Sequence, residues 1–274
     1  DAELMRRVFE YCRMFDKPFL AHEEVLELTA GGVMHEGLVS MVLGLKGMPA
    51  AGEEVMIGRD IALAEVTGGR LHVMHLSTAG GVELVRRAKE RGIAVTSEAT
   101  PHHFTLTDEC LRRFDSNYKM SPPLRTTADV EAILAGLADG TIDCIATDHA
   151  PHALEKKMLE LDRAPFGILG LETAVGLSVT RLVVPGRLDW SRLVEAMSTL
   201  PAKILGINRG TLAVGAIADV TLIDPAMTWE VDASTFRSKS VNTPFHGWQL
   251  TGRAVATIVG GRIKYRLAEA AASA

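Results

Sequence analysis

The sequence has few of the features that mark disulfide-rich or membrane proteins. Its 274 residues include only three cysteines, which are widely spaced and form no Cys-x-x-Cys pair. Neither a disulfide framework nor a thiolate zinc site is therefore expected. No apolar run approaches the ~20 residues that span a bilayer, and residues 1–4 lack the basic and apolar regions of a signal peptide. We expect a protein of the reducing cytoplasm without a membrane segment.

The sequence also lacks a strong excess of charge of one sign. It carries 29 basic and 34 acidic residues, for a formal net charge of −5. This balance offers no electrostatic footprint for nucleic acid or for an anionic membrane. A small-molecule substrate or a protein partner is favoured instead. Nearly half of the residues are apolar, which is enough for the core of one large domain with a small appendage.

Helical patterns alternate with short apolar strands from residue 1 to about 205. Helices are predicted near 4–15, 36–46, 51–68, 79–91 and 126–138, and strands near 17–21, 70–74, 93–97 and 142–147. Strands that are almost continuously apolar and alternate with helices predict a parallel sheet covered on both faces. Residues 206–266 are rich in glycine and short β patterns, near 218–223 and 254–259, and predict a small separate β unit. We expect residues 267–274 to form a disordered tail.

Three polar residues fall at the carboxyl ends of predicted strands: His22, His75 and Asp148. In a parallel α/β barrel this end carries the chemistry. Imidazole nitrogens and carboxylate oxygens are ligands that zinc and related ions favour. A single histidine is more often a satisfied polar residue at a barrel rim. Three possible ligands at strand ends, two histidines and an aspartate, together favour a metal site. His72 lies three positions before His75, so strand alternation predicts that it faces the helices.

Several sequence strings are specific enough to indicate a family. They are Ala21-His22-Glu23-Glu24, His75-Leu76-Ser77-Thr78, Thr100-Pro101-His102-His103, Tyr118-Lys119-Met120-Ser121-Pro122-Pro123-Leu124-Arg125, Ala146-Thr147-Asp148-His149-Ala150-Pro151-His152, Ala164-Pro165-Phe166-Gly167-Ile168 and Asn242-Thr243-Pro244-Phe245. With these strings the chain closely resembles the dihydroorotase branch of the amidohydrolase superfamily. The resemblance covers essentially the whole chain.

The resemblance implies a fold and a reaction. The expected fold is part of a (β/α)8 metal-dependent hydrolase barrel, strands five to eight, in residues 1–205, with a small C-terminal β-sandwich unit in 206–266. The expected reaction interconverts dihydroorotate and carbamoyl aspartate in pyrimidine synthesis. One or two zinc ions would activate water. Aspartate carbamoyltransferase or a second copy of the chain would be the protein partner.

The resemblance also assigns roles to individual residues. His22 and His75 match two imidazole ligands of one metal position, and Asp148 matches a carboxylate that touches the other metal and shuttles the proton. His152 matches a residue that holds the substrate carboxylate. Residues matching the positions that contact the substrate ring are Ser121, Phe166 and Gly167.

The sequence departs from the family pattern in two ways. No His-x-His string occurs in it, although the family carries that string on its first strand, so the chain is expected to be truncated and inactive alone. Ser121 replaces the usual asparagine and has one fewer hydrogen to donate. Two alternatives stay open: an allantoinase- or dihydropyrimidinase-like hydrolase, and a non-catalytic subunit that scaffolds aspartate carbamoyltransferase. Retention of His22, His75, Asp148 and His152 disfavours the scaffold.

Overall fold

The computed structural model describes residues 1–267. Its helices and strands follow in the order α1 (Ala2–Met14), β1 (Pro18–Ala21), α2 (Leu26–Thr29), β2 (Met34–His35), α3 (Leu38–Leu43), β3 (Gly47–Met48), α4 (Ala51–Thr67), β4 (Arg70–Val73), α5 (Ala79–Glu90), β5 (Val95–Ala99), α6 (Thr127–Asp139), β6 (Cys144–Ile145), α7 (Leu154–Lys157), α8 (Ala174–Ser178), α9 (Trp190–Val194), α10 (Leu200–Leu205), β7 (Val220–Glu230), β8 (Gln249–Val259) and β9 (Arg262–Arg266). Turns of π-helix over Val179–Val183 and Glu195–Thr199 continue α8 and α9.

The central feature is a four-stranded parallel sheet in the order β1-β4-β5-β6. The predicted parallel α/β architecture is therefore confirmed. The last strand is shorter than the predicted 142–147 because the amide of Ile142 donates to the carbonyl of Gly136 in α6, which leaves only Cys144–Ile145 in regular pairing. All four strands run the same way, so their carboxyl ends meet at one edge.

Strand alternation decides which side chains meet the helices. Leu71 and Val73 of β4 are buried in the main apolar core with residues of α4 and α5, such as Ile57 and Val85. His72 lies between Leu71 and Val73, so it faces away from those helices and lines a cavity on the other side of the sheet with Leu20. The prediction that His72 faces the helices was wrong. It assumed that the strand continues to His75, whereas β4 ends at Val73 and His75 has a positive φ of 33°.

The C-terminal part forms a three-stranded antiparallel sheet in the order β7-β8-β9. Its first two strands are eleven residues each, longer than the predicted segments at 218–223 and 254–259. The sheet packs on the α8 region: the Thr251 amide donates to the Thr180 hydroxyl at 2.8 Å, and a β-carbon on Gly252 would meet Val179 at 2.7 Å. A disordered tail was predicted for residues 267–274. All of these except residue 267 lie outside the described residues.

Among residues 1–267 no helix combines the length and apolar character needed to cross a membrane.

Candidate metal and substrate site

Two of the predicted ligands meet at the carboxyl edge of the parallel sheet. His22 directly follows β1, and His75 follows β4 by two residues. Because these strands are neighbours in the sheet, their ends are adjacent, and His22 Nδ1 lies 3.0 Å from His75 Nε2. The rings are edge to face with centroids 4.7 Å apart. The two nitrogens therefore share one space, as two ligands of a single ion would.

The second nitrogen of each ring differs in its surroundings. His22 Nε2 lies 3.2 Å from Glu24 Oε2, which suits an N–H donated to a carboxylate and leaves the lone pair on Nδ1. A carboxylate on the outer nitrogen is the usual support of a metal-binding histidine. His75 is only 4% exposed, and its Nδ1 is buried without a hydrogen-bond partner. Burial, and then the proximity of His22, lower the pKa of His75 to about 4, so this ring is neutral at pH 7 and able to bind a cation.

Asp148 follows β6 and is the third predicted ligand. Burial raises the pKa of its carboxyl, and the nearby His22 opposes that rise. A carboxyl whose pKa is raised towards neutrality exchanges a proton more readily than an exposed one.

Backbone strain coincides with these residues. His75 has a φ of 33° and Asp148 a φ of 43°, both in the left-handed region that residues other than glycine rarely adopt. Such strain persists only where the surrounding structure holds it, and it concentrates at functional sites. The two turns therefore set the direction of both side chains.

A carboxylate near the histidine pair links the His75 turn to the sheet. Glu98 of β5 accepts a long hydrogen bond of 3.4 Å from the His75 amide and lies 3.1 Å from His72 Nε2. His72 Nδ1 lies 2.8 Å from the Thr96 hydroxyl, so the ring is fixed at both nitrogens. His72 is thus a supporting residue below the site rather than a ligand.

The donor set fits part of a metal centre. Two imidazole nitrogens converge and a half-buried carboxyl stands near His22, which is a ligand chemistry suited to zinc. Within residues 1–267, however, no group of three or more His, Cys, Asp or Glu side chains is arranged to hold an ion. The structure therefore brings His22 and His75 together and leaves Asp148 beside them.

The predicted substrate residues form a rim. His152 Nε2 donates to the carbonyl of Phe166 at 2.7 Å. Gly167 has a φ of 148°, and a β-carbon there would lie 2.7 Å from the His152 ring, so only glycine allows this approach. Ser121 lines a small cavity together with His22. His152, Phe166 and Gly167 are thus brought together, and Ser121 stands by the histidine pair.

Three buried polar residues hold this rim, and sequence reasoning gave them no role. Asn242 donates to the carbonyls of Ala150 at 2.9 Å and Gly167 at 3.1 Å, and accepts from the His152 amide at 3.0 Å. Lys119 and Lys157 donate to further carbonyls of the same segment. Asn242 and Lys119 stand in the family strings, which was the available signal, whereas Lys157 lies in a charged loop that looks like any solvated surface.

A protein-family model and curated relatives both match most of the chain. The model of the amidohydrolase family matches residues 1–264. A dihydroorotase of Pelotomaculum thermopropionicum is 56% identical over 263 residues, covering 96% of this chain and 62% of the relative. A dihydroorotase of Citrifermentans bemidjiense is 53% identical over 266 residues, covering 97% of this chain and 62% of the relative. The chain thus spans about 62% of the length of these curated relatives.

Solved structures of similar fold are hydantoinases. A D-hydantoinase (dihydropyrimidinase) from Thermus sp. superimposes with a TM-score of 0.87 at 30% identity, covering 97% of this chain and 60% of that one. An L-hydantoinase from Arthrobacter aurescens gives a TM-score of 0.87 at 30% identity, covering 98% and 62%.

Proposed function

Because the chain belongs to the amidohydrolase family, we propose that its protein is a dihydroorotase, a cyclic amide hydrolase that interconverts dihydroorotate and carbamoyl aspartate. The convergence of His22 Nδ1 and His75 Nε2 beside Asp148 carries this proposal. The curated relatives at 53–56% identity are dihydroorotases, which favours this substrate over a hydantoin. In this reading the parallel sheet is strands five to eight of a barrel, and the antiparallel sheet is part of a β-sandwich.

His22 and His75 would hold one zinc ion through the two facing nitrogens, with one or two ions in the whole centre. When bound, such an ion lowers the pKa of a water molecule from ~16 towards ~7 and polarises the ring carbonyl. Glu24 keeps the His22 ring in the tautomer that leaves Nδ1 free. The neutral state of His75 keeps the pair from repelling a cation.

Asp148 is the proposed proton shuttle. Ring opening adds water to the carbonyl carbon and breaks the carbon–nitrogen bond, so one proton must leave the water and one must reach the nitrogen. A carboxylate can take the first proton and return it as the second. The raised pKa of Asp148 suits this exchange.

His152, Phe166, Gly167 and Ser121 would bind the substrate. The His152 ring uses Nε2 for the Phe166 carbonyl, which ties the orientation of the imidazole to the backbone of the rim. In this proposal His152 faces the substrate carboxylate, backbone groups of residues 166–167 contact the ring, and Ser121 contacts the ring from the side of His22.

The experiment is a substrate comparison with the protein made from the complete reading frame that contains these residues. Ring opening of dihydroorotate, hydantoin, dihydrouracil and allantoin is followed at equal enzyme concentration with zinc present. We expect kcat/KM for dihydroorotate to exceed the others by at least ~100-fold, since a buried polar site discriminates strongly. Preference for hydantoin or dihydrouracil would assign the protein to the hydantoinase group. Absence of any turnover, with the aspartate carbamoyltransferase bound instead, would favour the scaffold.

A further inference from the structure

Two lysines are buried behind the substrate rim. Lys119, in the loop before α6, is 2% exposed, and Lys157, at the end of α7, is 6% exposed. Lysine is seldom so deeply buried unless an acidic partner neutralises it. Their environment therefore bears on what the rim binds.

The ammonium groups contact carbonyl oxygens. Lys157 Nζ donates to the carbonyls of Pro165 at 3.0 Å and Gly167 at 3.1 Å. Lys119 Nζ donates to the carbonyls of Ala164 at 2.6 Å and Asp162 at 3.4 Å, and lies 4.5 Å from the centroid of the Phe166 ring. In the described part of the chain neither lysine forms a salt bridge with a carboxylate. Two positive charges thus stand behind residues 164–167 in contact with carbonyl oxygens, while the carboxylates of Asp162 and Asp115 favour the charge of Lys119 and Lys157 from beyond salt-bridge distance.

Burying these two ammonium groups costs free energy, and holding the rim in place does not by itself require a charged group. Burial lowers the pKa of both lysines, that of Lys157 to about 8, and the charge of Lys119 lowers the pKa of Lys157 further. With a pKa of about 8, Lys157 is still mostly protonated at neutral pH. An uncharged donor such as Asn242, which also donates to the Gly167 carbonyl, would have held the rim without that cost.

We propose that Lys157, supported by Lys119, is a specificity-determining residue whose buried charge makes the Pro165–Gly167 rim selective for a ring substrate that carries a carboxylate. The inference rests on the proposed function and deepens it. Hydantoin and dihydrouracil are neutral, whereas dihydroorotate is an anion, so a positive field at the rim separates the two classes. A buried charge acts over a longer distance than an exposed one because water screens it less.

The test pairs two ligands of nearly the same shape, one an anion and one neutral: dihydroorotate and its carboxamide. The full-length enzyme and its Lys157→Met variant are compared in KM for dihydroorotate, and in KM or inhibition constant for the carboxamide. Lys157→Met is expected to raise KM for the anion about tenfold, the effect of one unit charge roughly 10 Å away at an effective dielectric constant of about 20. The constant for the carboxamide should change less than about twofold.

Three controls make the outcome specific. Lys156→Met removes the same charge from the exposed neighbouring position and should leave both constants unchanged. Lys157→Arg keeps the charge and should retain most of the preference for the anion. Raising the salt concentration should reduce the preference of the wild type for the anion only slightly, because salt screens a buried charge less than an exposed one.

A merely structural role would give another pattern. If Lys157→Met raised the constants for both ligands equally, Lys157 would only hold the loop and the proposal would be overturned. A wild-type enzyme that opened hydantoin but not dihydroorotate would overturn the proposed function instead. The two failures are therefore distinguishable.

Discussion

The side chain with the most specific proposed task is Asp148, which sits in a strained turn near His22. In the full-length enzyme, Asp148→Asn should leave folding intact and lower kcat by at least ~100-fold, because an amide cannot accept and return a proton. The measurements are dihydroorotate turnover and the thermal unfolding midpoint. Near-normal turnover would remove Asp148 from the proton path.

Glu24 is a second residue whose replacement tests the proposed site, because its carboxylate contacts the His22 ring. Replacing it by glutamine removes the carboxylate on His22 Nε2, so the ring is oriented less firmly and is less basic. We expect Glu24→Gln to weaken zinc binding by about 10- to 100-fold, the usual effect of losing such a support. Competition with a chromophoric chelator measures it, and Glu27→Gln on exposed α2 is the matched control. Equal zinc affinity in both variants would argue against the role of Glu24.

At the scale of elements, a buried ion pair joins α4 to the turn after β4. Glu53 in α4 accepts hydrogen bonds from the amides of Ser77 at 2.8 Å and Thr78 at 3.2 Å, and pairs with Arg125 at 3.3 Å. Arg125 and Glu53 are 3% and 4% exposed at their side chains. This pair fixes the segment that immediately follows His75.

Arg125→Met should therefore destabilise the fold strongly. It leaves the Glu53 carboxylate buried without its cation, which costs about 3–5 kcal/mol of unfolding free energy. Arg91→Met breaks the exposed pair with Glu65 and should cost less than about 1 kcal/mol. Urea denaturation of both variants gives the two values. Similar losses in both would show that burial of the Glu53 pair adds nothing.

The sequence predicted elements better than it predicted contacts. Periodicity located α1, α3 to α6 and the four strands of the main parallel sheet, because these depend on local apolar spacing, but it missed the short elements α2, β2, β3 and α7 to α10. It gave the wrong face for His72, since the positive φ of His75 breaks the alternation and is set by tertiary packing. Lys157 escaped notice because burial of a charged loop residue depends on carbonyls supplied eight and ten residues further along. The strand-end positions of His22, His75 and Asp148 were visible from pattern alone.

For the molecule as a whole, buried histidines set the response to acid. Burial lowers the pKa of His103 to about 4 and that of His102 well below its usual 6.5. Between about pH 6.5 and 4 the unfolded chain binds protons that the folded one does not. The unfolding free energy should fall as the pH drops through this window, by about 1.4 kcal/mol per pH unit for each ring.

Glu23 acts in the opposite direction. Burial, and then the charge of Asp60, raise the pKa of its carboxyl, so its contribution to stability is present in acid and lost as the pH rises. Denaturation curves between pH 4 and 9 should therefore show a maximum near neutrality. Glu23→Gln should flatten the alkaline side, and His103→Gln the acid side. An unchanged acid slope in His103→Gln would mean that this ring is not buried neutral.

The hydrogen bonds of Asn242 also imply an order of assembly. They join residues 75, 90 and 92 positions apart in the chain, whereas His22 and His75 are 53 apart and follow neighbouring strands. Closing a longer loop costs more chain entropy, and a ribosome releases residue 242 after all of the parallel strands. The histidine pair can thus form on a nascent chain whose substrate rim does not yet exist. During synthesis, the meeting of the two imidazole rings therefore comes before Asn242 can lock residues 150–152 against Gly167.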